Sequence, residues 1–286
     1  MLEYIIYSLI TVGIVGSGIA GYFDLKTTEI PDEIPVIMII IGLILRGAYF
    51  LLTGNLMFLL IPAAVAGAFF GFGLLMYYFG QWGGGDAKLL AAMGFLIGNI
   101  PIGCGLFPTY LNYFLNVFLV GAAYIITYAF AMSIINKKIS SAFFKSLKGD
   151  VKEFSIFTTV IIVSTFMISL FFWYTLGTYE IMIMAPIILM GISLYILWKF
   201  LKTVEEVGFR KKISTRNLKE GDMLGEDLPK LNLNSKIIRG LTKEEIKKIR
   251  KVRKTIWIRE GVRFGPVFCI AAIVTFLYGN LVMFIL

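Results

Sequence analysis

Histidine is absent from this chain. Its absence removes serine–histidine and cysteine–histidine triads, histidine general bases and histidine-ligated zinc. Cysteine is nearly absent: Cys104 and Cys269 lie far apart, each inside an apolar segment. They read as packed or lipid-embedded thiols, with no disulfide framework and no cysteine metal site. Residues 199–263 show no nucleotide-binding loop and no metal-ligand spacing, and no cofactor and no metal are expected. Acidic residues are the minority charge, 18 against 27 lysines and arginines, giving a net charge of +9. On a membrane protein, basic charge marks the cytoplasmic side before it marks nucleic acid, so no nucleic-acid partner is expected.

What is abundant is hydrocarbon. The chain has 286 residues, 58% of them hydrophobic, and a mean hydropathy of +0.83. That composition predicts an all-α polytopic membrane protein. Apolar runs fall at about 4–23, 34–52, 56–79, 89–107, 110–135, 154–176, 181–198 and 264–286, each near the ~20 residues that cross a bilayer. About eight transmembrane helices are expected, with six as the alternative if the later region holds a re-entrant pair. The fourth run is broken by Gly98, Pro101, Gly103 and Gly105. Met1-Leu2-Glu3 lacks a basic leader region, so 4–23 reads as a retained span, not a signal peptide.

Charge placement supports this count. With both termini outside, 26 of the 27 lysines and arginines fall on one face, which the positive-inside rule makes cytoplasmic. The exception, Arg46, lies inside the second span, where its long side chain is expected to snorkel outward. Small residues at Gly13, Ser17 and Gly21 on the first helix, and Gly67 and Gly71 on the third, read as stripes for close helix packing.

The expected domains are 1–198, a transmembrane region; 199–263, a basic cytoplasmic soluble insert; and 264–286, a last transmembrane helix. The insert is small for an independent core. Thr242-Lys243-Glu244-Glu245 predicts a capping box opening a short helix. Lys219-Glu220-Gly221-Asp222 predicts a turn. Ile256-Trp257-Ile258 reads as a short strand or an interfacial foot, making the insert a small α+β unit. Its basic character suits anionic lipid, a partner, or simply a solvated positive-inside face.

Two carboxylates stand where membrane helices begin or end. Asp24 closes the first span, and Asp86 follows Gly83-Gly84-Gly85 and precedes the fourth. The topology puts both at one depth. At a membrane centre an ionised aspartate costs ~3 kcal/mol, and at a helix N-terminus it can be an ordinary favourable anion. Paired, two carboxyls hydrolyse peptides without histidine or metal. Like charges in proximity cannot both ionise easily, so the pair shares a proton. The ionised member takes a proton from water, and the protonated member supports the developing oxyanion. Gly83 and Gly85 allow a sharp turn and close approach of a substrate strand. Lys26 and Lys88, each two residues beyond an aspartate, bias the local field or serve as positive-inside anchors.

Gly83-x-Gly85-Asp86, with Asp24-x-Lys26 and Ile30-Pro31-Asp32 after the first span, resembles the type IV prepilin peptidases, membrane aspartic proteases of the GxGD type. The run Gly-Gly-Gly-Asp-Ala-Lys-Leu is similar to the archaeal prepilin and preflagellin peptidases, and the resemblance covers residues 1–135. It implies Asp24 and Asp86 as the catalytic pair. The implied substrates are pilin-like or archaellin precursors, cut between a short basic leader and an apolar helix at the cytoplasmic membrane face. The zinc-binding cysteine motif of the bacterial enzymes is not matched, so no methyltransferase activity is expected. Glu29, Asp32 and Glu33 form an acidic loop beside Asp24 that either attracts a basic leader or is simply solvated. The competing readings are an intramembrane protease of the presenilin or signal-peptide-peptidase type, a proton or cation transporter using both aspartates as a relay, a magnesium-dependent lipid-phosphate transferase, and a non-catalytic assembly scaffold.

Overall fold

The computed structural model describes residues 2–100, 107–176, 181–231, 233, 240–259 and 261–284. Pro101, Gly103, Cys104 and Gly105 of the expected fourth span, and Glu180 and Glu260, lie outside them. Ten α-helices are described: α1 (Leu2–Thr27), α2 (Glu33–Thr53), α3 (Met57–Tyr78), α4 (Gly84–Ile97), α5 (Thr109–Ile135), α6 (Lys137–Gly149), α7 (Val151–Leu176), α8 (Ile181–Thr203), α9 (Lys243–Val252) and α10 (Gly265–Tyr278). The protein is an all-α polytopic membrane protein. Six of these helices, α1, α2, α3, α5, α7 and α8, are long and apolar enough to cross a bilayer. The other two expected spans are shorter. At 1.5 Å per residue, the 14-residue helices α4 and α10 reach about 21 Å against a ~30 Å hydrocarbon layer.

The chain forms two compact units, one of residues 1–125 and 212–286, the other of residues 126–211. In the first, α4 is the central helix, packed against α1, α2, α3 and α10. Its Ala, Leu and Met residues are strong helix formers. Ala87 and every residue from Leu89 to Ile97 are buried, as expected of a helix that is apolar all round. Close approach comes from small residues. A Cβ on Gly73 of α3 would stand 2.7 Å from Ala87, and one on Gly21 of α1 would stand 3.0 Å from the Pro266 backbone of α10. Gly67 and Gly71, expected to form the packing stripe of α3, have nothing within 4 Å of such a Cβ. The packed face of α3 instead carries Phe58, Pro62, Val65, Phe69 and Gly73, so the expected small-residue stripe is not what packs.

Arg46 also departs from expectation. It does not snorkel but is fully buried. Its Nε donates to Phe95 O at 2.9 Å, Nη1 to Phe58 O at 2.8 Å, and Nη2 to Leu96 O and Gly98 O at 2.9 and 2.6 Å. Three of these carbonyls end α4, where the orphan acceptors and the negative end of the helix dipole favour a cation. The Phe58 ring lies 4.6 Å from the guanidinium carbon, a cation–π contact. On α5, Asn116 is satisfied inside the bundle: Nδ2 donates to Thr275 Oγ1 and Gly279 O, and Oδ1 accepts from Leu281 N–H.

A small α+β region precedes α10. Strands β1 (Arg210–Ser214), β2 (Met223–Leu224) and β3 (Thr255–Arg259) form a sheet in the order β1-β3-β2. β2 runs antiparallel to β3, with Met223 opposite Arg259. Ile256–Ile258 is thus a strand, and Gly221 (φ 95°) makes the expected turn. Thr242 caps α9, its Oγ1 accepting from Glu245 N–H while the Glu245 carboxylate accepts from Thr242 N–H. The core is Leu218, Leu224, Leu241, Ile246, Ile249, Ile256 and Ile258, with neighbouring leucines.

In the second unit α6 occupies a stretch expected to be a connection. Asn136 caps it through its side chain, and Ile139 and Phe143 pack with Phe200 and Val204 of the α8 end. Lys199 of α8 is buried and pairs with Asp150 and Glu153 at the α6–α7 junction.

Candidate active site

The α1 and α4 termini that carry the two aspartates meet at one end of the first unit. Asp24 lies in the last turn of α1 on the same buried face as Gly13, Ser17 and Gly21. Only 7% of its surface is accessible. Its Oδ2 accepts a hydrogen bond from Gly265 N–H, at the start of α10, at 2.7 Å. Arg263 is close enough for its charge to act on Asp24, and its guanidinium donates to Leu25 O.

Asp86 sits in the first turn of α4, before the apolar run from Leu89. Its Oδ2 accepts from Gly83 N–H at 2.9 Å, so the carboxylate caps its own helix, where the dipole favours an anion. Burial pushes its carboxyl up to about 7; the Gly83 hydrogen bond opposes that rise and the nearby Asp24 charge adds to it. This coupling places the two carboxyls within electrostatic reach. Asp86 nevertheless stays half-buried as a residue.

The glycines have separate tasks. A Cβ on Gly85 would stand 2.8 Å from Ile30 Cβ, so Gly85 lets the α1–α2 loop close against the start of α4. Gly83 supplies the capping N–H. The preceding residue, Trp82, lies in an aromatic cluster. It stacks on Phe118, tilts against Phe264 and meets Phe72 and Phe268 edge to face, geometries that add ~0.5–1.5 kcal/mol per pair.

The charged neighbours are placed as follows. Lys88 Nζ pairs with Asp32 Oδ2 at 2.6 Å, joining the start of α4 to the α1–α2 loop. Glu29 pairs with Lys219 of the α+β region at 3.2 Å. Lys26 lies 5.9 Å over the Tyr22 ring. Glu33 opens α2 in its first turn. Among the described residues, no three histidine, cysteine, aspartate or glutamate side chains group as a metal site. Sequence reasoning missed Arg263, Phe264 and Gly265 altogether. The available signal was Gly265-Pro266, a helix-opening pair that left the glycine itself unexplained.

Residues 11–126 match the type IV leader peptidase family. The matched segment contains both aspartates, the glycine turn and Arg46. Two curated relatives are preflagellin peptidases. The one from Methanocaldococcus jannaschii is 37% identical over 93 residues, 32% of this chain and 39% of the relative. The one from Methanococcus voltae is 37% identical over 103 residues, 35% of this chain and 43% of the relative. The chain thus spans about two fifths of the length of the curated relatives it matches. No solved structure matches. The leader-peptidase segment lies almost wholly within the first compact unit, and Gly265, which donates to Asp24, lies far beyond its end.

Proposed function

We propose that the chain is an aspartic endopeptidase that removes the short basic leader of pilin-like or archaellin precursors at the cytoplasmic face of the membrane. The observation that carries this reading is the convergence of Asp24 and Asp86. Each has one oxygen held by a backbone N–H, and the two are within electrostatic reach in the segment that matches leader peptidases. The cytoplasmic assignment, with the N-terminus outside, rests on the positive-inside distribution.

In this mechanism Asp86 is the protonated member and Asp24 the ionised one. Asp24 takes a proton from water as the water oxygen bonds to the scissile carbonyl carbon. Asp86 gives its proton to the carbonyl oxygen, leaving a gem-diol, a protonated Asp24 and an ionised Asp86. Asp24 then protonates the amide nitrogen while Asp86 recovers a proton from one hydroxyl. The C–N bond breaks, and both carboxyls return to their starting states. No methyl transfer is part of this scheme. Glu29 and Asp32 already have cationic partners, so a basic leader competes with Lys219 and Lys88 for them, and Glu33 completes the acidic loop.

The test is cleavage of a prepilin-like precursor by membranes containing the wild type, Asp24→Asn or Asp86→Asn, with a chelator in parallel. Expected are cutting before the apolar helix by wild type, loss in both variants and indifference to the chelator. Cutting by both variants would overturn the assignment. Loss with the chelator would move the reading to a metal-dependent enzyme.

A further inference from the structure

Three consecutive residues outside the matched segment touch both halves of the aspartate site. Arg263 donates to Leu25 O, the residue next to Asp24. Phe264 lies against Trp82, ring centroids 5.6 Å apart, and Trp82 is bonded to Gly83, whose N–H holds Asp86. Gly265 donates its N–H to Asp24 Oδ2. A Cβ on Gly265 would stand 2.8 Å from Asp24 Cβ, 3.0 Å from its Oδ2 and 3.1 Å from Gly21 Cα. Any side chain there must displace Asp24 or part α1 from α10. Gly261, four residues earlier, has nothing within 4 Å of the same test position, so the constraint is specific to Gly265.

We propose that Arg263–Phe264–Gly265 is a positioning element of the two-aspartate site, a clamp that sets the orientation of Asp24 and braces the turn carrying Asp86. This rests on the leader-peptidase reading for its catalytic meaning. Gly265 N–H holds Oδ2 of Asp24. The Arg263 charge acts on the carboxylate that must take the proton. The same junction joins the α+β region to α10, and Lys219 of that region pairs with Glu29 in the α1–α2 loop. The α+β region is therefore tied to the site at two points, and its docking sets how Asp24 is presented.

The experiment uses the purified full chain reconstituted in liposomes, as wild type, Gly265→Ala, Arg263→Gln, Phe264→Leu and the control Gly261→Ala. Four readouts are taken: kcat and KM on a prepilin-like precursor, the pH profile of kcat, thermal unfolding, and modification of Asp24 by dicyclohexylcarbodiimide, which attacks protonated carboxyls, read by mass spectrometry. Gly265→Ala is expected to lower kcat about 100-fold with KM little changed, the penalty of a misplaced catalytic group. Arg263→Gln is expected to change the pH dependence of Asp24 labelling and the acidic limb of the kcat profile together. Gly261→Ala matches wild type.

If Gly265→Ala and Arg263→Gln keep wild-type kcat, pH profile and Asp24 labelling, the clamp is overturned while the peptidase reading stands. If Gly265→Ala fails to fold, Arg263→Gln and Phe264→Leu decide on the same criteria. If wild type cuts no precursor, the peptidase reading falls, and the labelling shift in Arg263→Gln still accepts or rejects the clamp.

Discussion

At one end of α4, the Arg46 guanidinium donates to four backbone carbonyls and is fully buried. At the other, the Asp86 carboxylate accepts from one backbone N–H and stays half-buried, with its proton held by burial and by a second carboxyl. Both charges suit the helix end they occupy. They differ in what is left over. Arg46 has its donors directed at the protein, so it serves the fold. Asp86 keeps lone pairs that nothing in its helix uses, and that surplus is what chemistry requires.

The largest test of this contrast is Asp86→Asn. Asparagine keeps the shape and can still accept from Gly83 N–H, but it cannot exchange a proton. Cleavage of a precursor is expected to fall about 10²–10⁴-fold. Stability moves the other way. A carboxyl whose value is raised to about 7 binds a proton more tightly folded than unfolded, so its contribution is full below its unfolded value and is lost as pH rises through 7. Above pH 7 the asparagine variant is expected to melt higher than wild type. A lower melting temperature at pH 8 would show that Asp86 is a structural cap.

Arg46→Met is the reciprocal change. It leaves the carbonyls of Phe58, Phe95, Leu96 and Gly98 without donors inside the bundle. At ~1–3 kcal/mol for each buried orphan, partial relaxation still leaves a loss of at least about 3 kcal/mol, read as a fall in melting temperature at every pH. An unchanged melt would mean that water or a neighbour replaces the guanidinium.

These two residues also mark what is legible in a sequence. Asp86 announces itself through Gly83-Gly84-Gly85, because a local turn leaves a local signature. Thr242 does the same through its capping box, and the long apolar spans through their length. A lone arginine in an apolar run says only that a partner is needed. Which carbonyls supply it depends on packing α2 against the end of α4, some 50 residues away. Gly265 is further out of reach, since its hydrogen bond to Asp24 joins residues 241 positions apart. The helix α6 was hidden differently: its short, lysine-rich stretch resembles a solvated connection unless Asn136 is recognised as a cap.

A pH series sharpens the comparison by isolating the carboxyls. If Asp86 must be protonated to act, kcat falls as pH rises through about 7. The fall follows one proton, a tenfold loss per pH unit once well above that value. A kcat that stays flat from pH 6 to 9 would exclude Asp86 as the protonated member.

The smallest expected effect concerns Lys88, a cation near the same end of α4 that, unlike Arg46, is largely solvated. Its pair with Asp32 is short, 2.6 Å, but the side chains are 43% and 66% exposed. Exposed pairs contribute ~0.2–1 kcal/mol, so Lys88→Gln should shift the melt little. What it releases is the Asp32 carboxylate, two residues from Ile30, which packs on Gly85. If the acidic loop draws in a basic leader, freeing Asp32 lowers KM for precursors with several lysines, and the gain fades with salt as screening shortens the reach of each charge. Neutralising Glu29, Asp32 and Glu33 together should raise KM for the same substrates and leave kcat unchanged. If KM ignores both changes, the loop is a brace between α1 and α4 and the leader is recognised elsewhere.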